Sequence, residues 1–306
     1  MKLIGDIGGT KVLLALVDAS GAFRQRCRLA SAEFANFDAL LAAYLHDVEV
    51  TIEGGCLAVA GPVADDGRSA KITNLPWRID CTALEARFRL GRLWLINDFA
   101  AVAHGITQLM PEQTIRLQPG EPGAQGVRLV LGAGTGLGMA IIDGQRVLAS
   151  EGGHVGFAPQ DELQWRIWQA LHAEYGRVTA ERVISGPGLA NIHRILADES
   201  LDPADIVARS RQNDAVARRT LEVFFSAYGA FAGDMALATL ARGGVFLAGG
   251  VTVHLLSELP ASGFLSAFNA KAEHAELVRR MPVSAVIDPE IGLRGAAAAL
   301  THSAFS

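Results

Sequence analysis

Phe37, Leu40, Leu41, Tyr44, Leu45 and Val48 recur at i, i+3, i+4, i+7, i+8 and i+11, the spacing that gathers apolar side chains on one face of an α-helix. Elsewhere in the first third the apolar positions run together. Leu57-Ala-Val-Ala60 before Gly61-Pro62, and Leu93-Trp-Leu-Ile96 before Asn97-Asp98, are short unbroken runs closed by turn residues, which predicts buried strands. The second should lead into a helix over Phe99–Leu109. The stretch Asn213–Leu240 carries Leu221, Phe224, Phe225, Tyr228, Phe231, Met235 and Leu240 on a broad apolar face and predicts a core helix. Gly244–Ala248 reads as a strand, with the Gly249-Gly250 turn leading into another helix, and Ile291–Leu300 as a terminal helix. Strands alternating with helices predict an α/β fold.

Glycine punctuates this pattern unevenly. The opening Lys2-Leu-Ile-Gly5-Asp6-Ile7-Gly8-Gly9-Thr10-Lys11-Val-Leu-Leu-Ala-Leu-Val17-Asp18 is an apolar run, a glycine turn and a second apolar run, a hairpin signature. A second copy stands at Arg128-Leu-Val-Leu-Gly132-Ala-Gly134-Thr135-Gly136-Leu-Gly138-Met-Ala-Ile-Ile142-Asp143. Displaced by 125 residues, Gly9-Thr10 falls on Gly134-Thr135 and Val17-Asp18 on Ile142-Asp143. That spacing is the size of a domain and predicts two domains of similar plan. The chain of 306 residues, about twice the ~150 that make one domain, agrees. The Pro- and Gly-bearing segment Gln118–Gly126 is the best linker, and the first domain should end near residue 110.

Composition narrows the partners. With 27 basic against 32 acidic residues, a net charge of −5 and a pI near 5.9, no basic footprint for nucleic acid is present. The longest run without a charged residue, Gly243–Ser257, is too short for the ~20 apolar residues of a membrane span. Asp6 interrupts the N-terminal apolar stretch where a signal peptide would need continuity, so no export is expected. Cys27, Cys56 and Cys81 form neither a CxxC pair nor an even set, which predicts no zinc site, no disulfide framework and a reducing cytoplasm.

The candidate chemistry follows from the glycine turns. None of the four lysines, Lys2, Lys11, Lys71 and Lys271, follows a glycine, so a Walker loop is excluded. A dehydrogenase reading of Gly132, Gly136 and Gly138 fails as well, because Met139–Ile142 continues as strand and no Tyr-x-x-x-Lys pair exists. Glycine turns can instead offer backbone N–H groups to phosphate oxygens, and two of them could grip one polyphosphate. Thr10 and Thr135 would add hydroxyl donors, and Asp6 could hold magnesium directly or through water. Asn97-Asp98 sits where a strand gives way to a helix; Asp98 there is either the helix N-cap or an acid that takes a hydroxyl proton during phosphoryl transfer. Glu151-Gly-Gly-His154 brings an acid and an imidazole onto one turn, and Glu181 precedes a helix start at Ser185-Gly-Pro187-Gly188. Asn97, Asp98, Glu151, His154 and Glu181 together supply the donors and acceptors that a polyhydroxylated ligand needs.

In this order the segments resemble the proteobacterial-type bacterial glucokinases, within the actin, hexokinase and heat-shock chaperone ATPase superfamily. The likeness runs nearly end to end. It is carried by Gly5-Asp6-Ile7-Gly8-Gly9-Thr10 and Gly132–Gly138 as phosphate motifs, by Gly244–Gly250 as an adenosine motif, and more specifically by Glu151–His154 and Ala180–Gly188. The resemblance implies two actin-like ATPase (ribonuclease H-like) domains flanking a central cleft. The expected division is residues 1–110, completed by a C-terminal helix of about 290–306, and residues 111–289. It further implies ATP-dependent phosphorylation of D-glucose at its 6-hydroxyl, in a cytoplasmic homodimer. Asp98 would be the general base, with Asn97, Asp98, Glu151, His154 and Glu181 on glucose and Asn74, near Thr73 and Trp77, contributing from a loop at the sugar site. ATP would meet Gly5, Asp6, Ile7, Gly8, Gly9, Thr10, Gly132, Gly134, Thr135, Gly136, Gly249 and Gly250. Lys11 departs from the family pattern, where Asn is expected. The rival readings are another hexose or amino-sugar kinase and a non-catalytic sugar sensor; the cysteine-rich zinc motif of related kinases and repressors is missing.

Overall fold

The computed structural model of the chain describes residues 1–73 and 75–301. Its strands are β1 (Lys2–Ile7), β2 (Lys11–Val17), β3 (Phe23–Ala30), β4 (Gly54–Val59), β5 (Ser69–Lys71), β6 (Arg78–Asp80), β7 (Arg92–Asn97), β8 (Thr114–Gln118), β9 (Arg128–Ala133), β10 (Leu137–Asp143), β11 (Arg146–Ser150), β12 (Gly244–Ala248) and β13 (Val283–Val286). The helices are α1 (Phe37–Leu45), α2 (Cys81–Phe88), α3 (Asp98–Ile106), α4 (Glu162–Tyr175), α5 (Gly186–Ala197), α6 (Pro203–Arg211), α7 (Ala215–Thr239), α8 (Gly250–His254), α9 (Phe264–Asn269), α10 (Ala275–Arg279) and α11 (Ile291–Ala299). They divide into two compact units, Met1–Leu109 with the segment from Asp288 onward, and Met110–Ile287.

The first unit carries a sheet in the order β3-β2-β1-β4-β7, in which β1, β4 and β7 are parallel and β2 and β3 antiparallel. The unbroken apolar runs of β4 and β7 arise because both faces of the sheet are covered. Leu3, Ile7, Leu57, Val59, Leu93 and Leu95 pack with Phe37, Leu40 and Leu41 of α1 and Leu84 of α2. The residues of opposite parity, Ile4, Cys56, Ala58 and Ile96, pack with Ala101 of α3 and Leu293, Ala296 and Ala299 of α11. Asp6 shares the parity of Ile4, so strand geometry turns it toward α11. α3 ends at Ile106, three residues short of the predicted Leu109, where Thr107 turns its hydroxyl back to the His104 carbonyl at 2.7 Å.

The second unit repeats the plan as β11-β10-β9-β12-β13, with β9, β12 and β13 parallel, and adds β8 antiparallel at the edge. The helix α7 buries Leu221, Phe224, Phe225, Tyr228 and Phe231 in the core. It begins behind Asp214, whose carboxylate accepts the Ala217 N–H at 2.8 Å. Leu240, expected on its apolar face, is instead an exposed left-handed C-cap with φ of 48°. Gln118–Gly126 does not link the units. Gln118 is the buried end of β8, its amide donating to the carbonyls of Val278 and Met281 at 3.0 and 2.9 Å, and the chain changes unit at Leu109–Met110. Among the described residues no helix is long and apolar enough to cross a membrane.

Candidate active site

In the first unit, the parallel strands bring their C-terminal ends into line, the edge at which open α/β sheets bind ligands. Ile7 pairs with Val59, and Val59 with Asn97, so the turn after β1 and the start of α3 lie two strand spacings apart, roughly 10 Å. Asn97, not Asp98, is the N-cap of α3: its Oδ1 accepts the N–H groups of Phe99 at 2.9 Å and Ala100 at 3.1 Å. Asp98 occupies the first helical position, half-buried, and its Oδ1 accepts the Phe99 N–H at 2.9 Å. A carboxylate in a first helical turn is favoured in its ionised form by the helix dipole. With the Asn97 carbonyl committed to the cap, its NH2 group is what it can offer a ligand.

β7 is held in register by a pair that the sequence gives no sign of. Arg68 donates to both carboxylate oxygens of Glu85 at 2.7 Å, and the Leu93 N–H donates to the same group at 2.6 Å. The Arg68 hydrogen bond pulls Glu85 below the usual carboxylate range.

The turn between β1 and β2 holds Gly8, Gly9 and an exposed Thr10. It is braced by Ser31, 1% exposed, whose hydroxyl donates to the Gly8 carbonyl at 3.0 Å and whose N–H donates to the Thr10 carbonyl at 3.1 Å. Gly5 and Ile7, expected at the nucleotide, stand inside β1; the Ile7 side chain is fully buried, and a Cβ on Gly5 would meet Leu57 and Leu14 at 2.8 and 2.9 Å. Their side-chain positions belong to the core because they share the parity of Leu3. Asp6 lies against α11, where a Cβ on Gly292 would be 2.7 Å from its Oδ2. Crowding by protein atoms pushes its pKa up, the Lys11 charge opposing, and no hydrogen bond to its carboxylate occurs among the described residues. A carboxylate without a hydrogen-bond donor suits magnesium, which takes one or two protein carboxylates and leaves its other positions to water and phosphate.

Asn74 lies outside the described residues. Its neighbour Thr73 is tied to the end of β4 by an N–H bond to the Ala60 carbonyl at 2.8 Å, and an open groove of about 620 Å³ is lined there by Pro62, Lys71, Ile72, Thr73, Leu75 and Pro76. Trp77 is core, 1% exposed and 6.4 Å from the Phe37 ring.

In the second unit the turn Gly134-Thr135-Gly136 follows β9, and Gly249-Gly250 follows the parallel β12. The two motifs meet. Gly249 has φ of 91°, and a Cβ there would stand 2.5 Å from the Ala133 carbonyl, so only glycine permits the approach. Thr135 is exposed at the tip of its turn, and Gly132 pairs with Ala248 inside the sheet. Beside this edge stand the three remaining candidates. His154 Nε2 is 3.9 Å from Glu151, and His154 Nδ1 is 3.9 Å from Glu181 Oε1. Glu181 Oε2 accepts the Leu137 N–H at 2.8 Å. Ser185 caps α5, accepting the Gly188 N–H at 2.9 Å, as the sequence predicted. Ser31, Arg68, Glu85 and Gly292 are supports that sequence reasoning missed; none stands in a motif, and all act through partners remote in the chain.

Residues 3–303 match the model of the glucokinase family. A glucokinase of Stenotrophomonas maltophilia is 40% identical, the match covering 97% of this chain and 93% of that protein. The solved glucokinase of an Antarctic psychrotroph is 33% identical over 97% of this chain and 98% of its own, with a TM-score of 0.82. A ROK family glucokinase of Streptomyces griseus, solved with glucose and AMPPNP, shares the fold at 22% identity and a TM-score of 0.68, covering 97% of each chain.

Proposed function

Because this chain belongs to the glucokinase family and is a kinase of glucose, we propose that it transfers the γ-phosphoryl group of ATP to the 6-hydroxyl with Asp98 as general base. The two units are read as actin-like ATPase domains acting on one ternary complex. The first supplies Asp6, the Gly8–Thr10 turn, Asn97 and Asp98; the second supplies the Gly134–Gly136 turn, Gly249-Gly250, Glu151, His154 and Glu181. Asp98 accepts the hydroxyl proton as O6 bonds to the γ-phosphorus and the bond to the bridging oxygen breaks, releasing ADP. Asn97 donates its NH2 to the sugar while its carbonyl keeps α3 capped. Glu151, His154 and Glu181 supply the mixture of acceptors and donors that hydroxyl groups demand, so that a wrong epimer leaves partners unsatisfied. The glycine turns offer N–H groups to phosphate oxygens, and Thr10 and Thr135 add hydroxyls. Asp6 would hold magnesium, directly or through water; the ion, when bound, offsets charge on the β- and γ-phosphate oxygens.

The observation that carries this reading is the division of labour at the end of β7. Asn97 caps the helix, so the cap does not depend on Asp98, whose half-buried carboxylate stands in the first turn of α3 at the sheet edge where the first glycine turn also lies. Asp98→Ala should lower kcat by at least ~10², with the KM for glucose moving much less, in an assay coupled to ADP release. Near-normal turnover would remove Asp98 from the reaction. A panel of hexoses and amino sugars in the same assay should rank glucose first; a better amino sugar would reassign the acceptor.

A further inference from the structure

Resting on the reading that Glu181 contacts the hexose, we infer that the same side chain also shapes the second glycine turn, so that sugar and nucleotide binding are coupled through one carboxylate. Its two oxygens face different tasks. Oε2 accepts the Leu137 N–H at 2.8 Å, while Oε1 faces His154 at 3.9 Å. The carboxylate lies against the turn, for a Cβ on Gly136 would stand 2.5 Å from Oε2. The turn's other ties are backbone to backbone: the Gly134 N–H donates to the Gly136 carbonyl, and the Gly186 N–H to the Gly134 carbonyl, both at 2.8 Å. Glu181 is therefore the side chain that joins turn and sugar residues. Its own main chain is fixed by the Ser185 hydroxyl, which donates to the Glu181 carbonyl at 2.7 Å. The side chain is 31% exposed, and Oε2 is the oxygen committed to the fold.

A carboxylate that must accept from a sugar hydroxyl and from a turn N–H has fewer orientations than one serving either alone. A sugar that orders Glu181 also orders the Gly134–Leu137 backbone, in which the Thr135 and Gly136 N–H groups are the ones that would meet the phosphates. Coupling of this kind is reciprocal, each ligand raising the other's affinity by one factor. Glu181 is in this respect a positioning residue for the nucleotide, in addition to its contact with the sugar.

The test is calorimetric: the Kd of magnesium–AMPPNP with and without saturating glucose. The wild-type ratio should be about fivefold or more. Glu181→Gln keeps a carbonyl for the Leu137 N–H and should hold the ratio within about twofold of wild type while weakening glucose. Glu181→Met offers no acceptor and should bring the ratio to about 1. His154→Ala, which leaves the turn bond intact, should weaken glucose and keep the ratio. Gly136→Ala displaces the carboxylate from the other side and should abolish the ratio too, providing the measurement if Glu181→Met does not fold. A wild-type ratio near 1, or a wild-type ratio retained in Glu181→Met or Gly136→Ala, overturns the inference. Glucose affinity unchanged in all the Glu181 and His154 variants would instead sink the sugar reading beneath it, and the coupling with it.

Discussion

The two glycine turns look alike as text and are built differently. In the first hairpin Ile7 pairs with Val12; in the second Ala133 pairs with Leu137, so the first turn is one residue longer. A displacement of 125 aligns the second strands of the hairpins, while the register of the first strands requires 126. The structural counterpart of Asp6 is thus Gly132. Only the first turn is preceded by an acid, and that acid leans on α11; the second is preceded by a glycine inside the sheet and is crowded by Gly249. Their braces differ as well. Ser31 ties the first to the strand beside it, and Glu181 ties the second to the residues read as sugar contacts. The two hairpins share a plan and differ by one residue in turn length, and on the proposed reading one turn carries the metal-holding acid while the other carries the coupling carboxylate.

The contrast can be tested at three points. The largest effect should come from the acid found in only one turn. Asp6→Ala should lower kcat by at least ~10², several kcal/mol of phosphate charge stabilisation being involved, and a magnesium titration should find no saturating dependence comparable to wild type. Next, Gly249→Ala forces a left-handed alanine against the Ala133 carbonyl. Unfolding in urea should show a loss of about 2–4 kcal/mol, and Gly144→Ala, also at positive φ but with nothing within 4 Å, should lose less. The smallest change is expected from Ser31→Ala, which leaves the Gly8 carbonyl one donor short: about 1 kcal/mol of stability and a KM for ATP raised a few-fold at nearly constant kcat, read from steady-state kinetics. A fall in kcat equal to that of Asp6→Ala would show that the first turn does not separate anchoring from charge stabilisation.

Most of the architecture was legible. The helical spacing of Phe37–Val48, the strand runs at Leu57 and Leu93, and the cap at Ser185 are local signals that match what forms. The strands were legible as buried because uninterrupted apolar runs require a covered face on each side. The Pro and Gly content of Gln118–Gly126 describes a loop anywhere, so it does not locate the linker, and only the long-range Val278 and Met281 carbonyls reveal that Gln118 is buried. Asp98 and Asn97 exchanged roles for a similar reason: both are good caps, and a one-residue choice depends on where β7 releases the chain.

The chemistry of the residues was fixed by the chain itself: two glycine turns, an acid before one of them, an Asn-Asp pair at a strand end and the family to which these belong. What the fold alone decided was which atoms are occupied. Glu181 became a brace, Ser31 a strut and Gly292 the floor under Asp6, each through a partner that no local pattern names. Spacing along a chain encodes which side of a strand or helix a residue takes, but hydrogen-bond partners and close backbone approaches are set by packing between segments far apart in sequence.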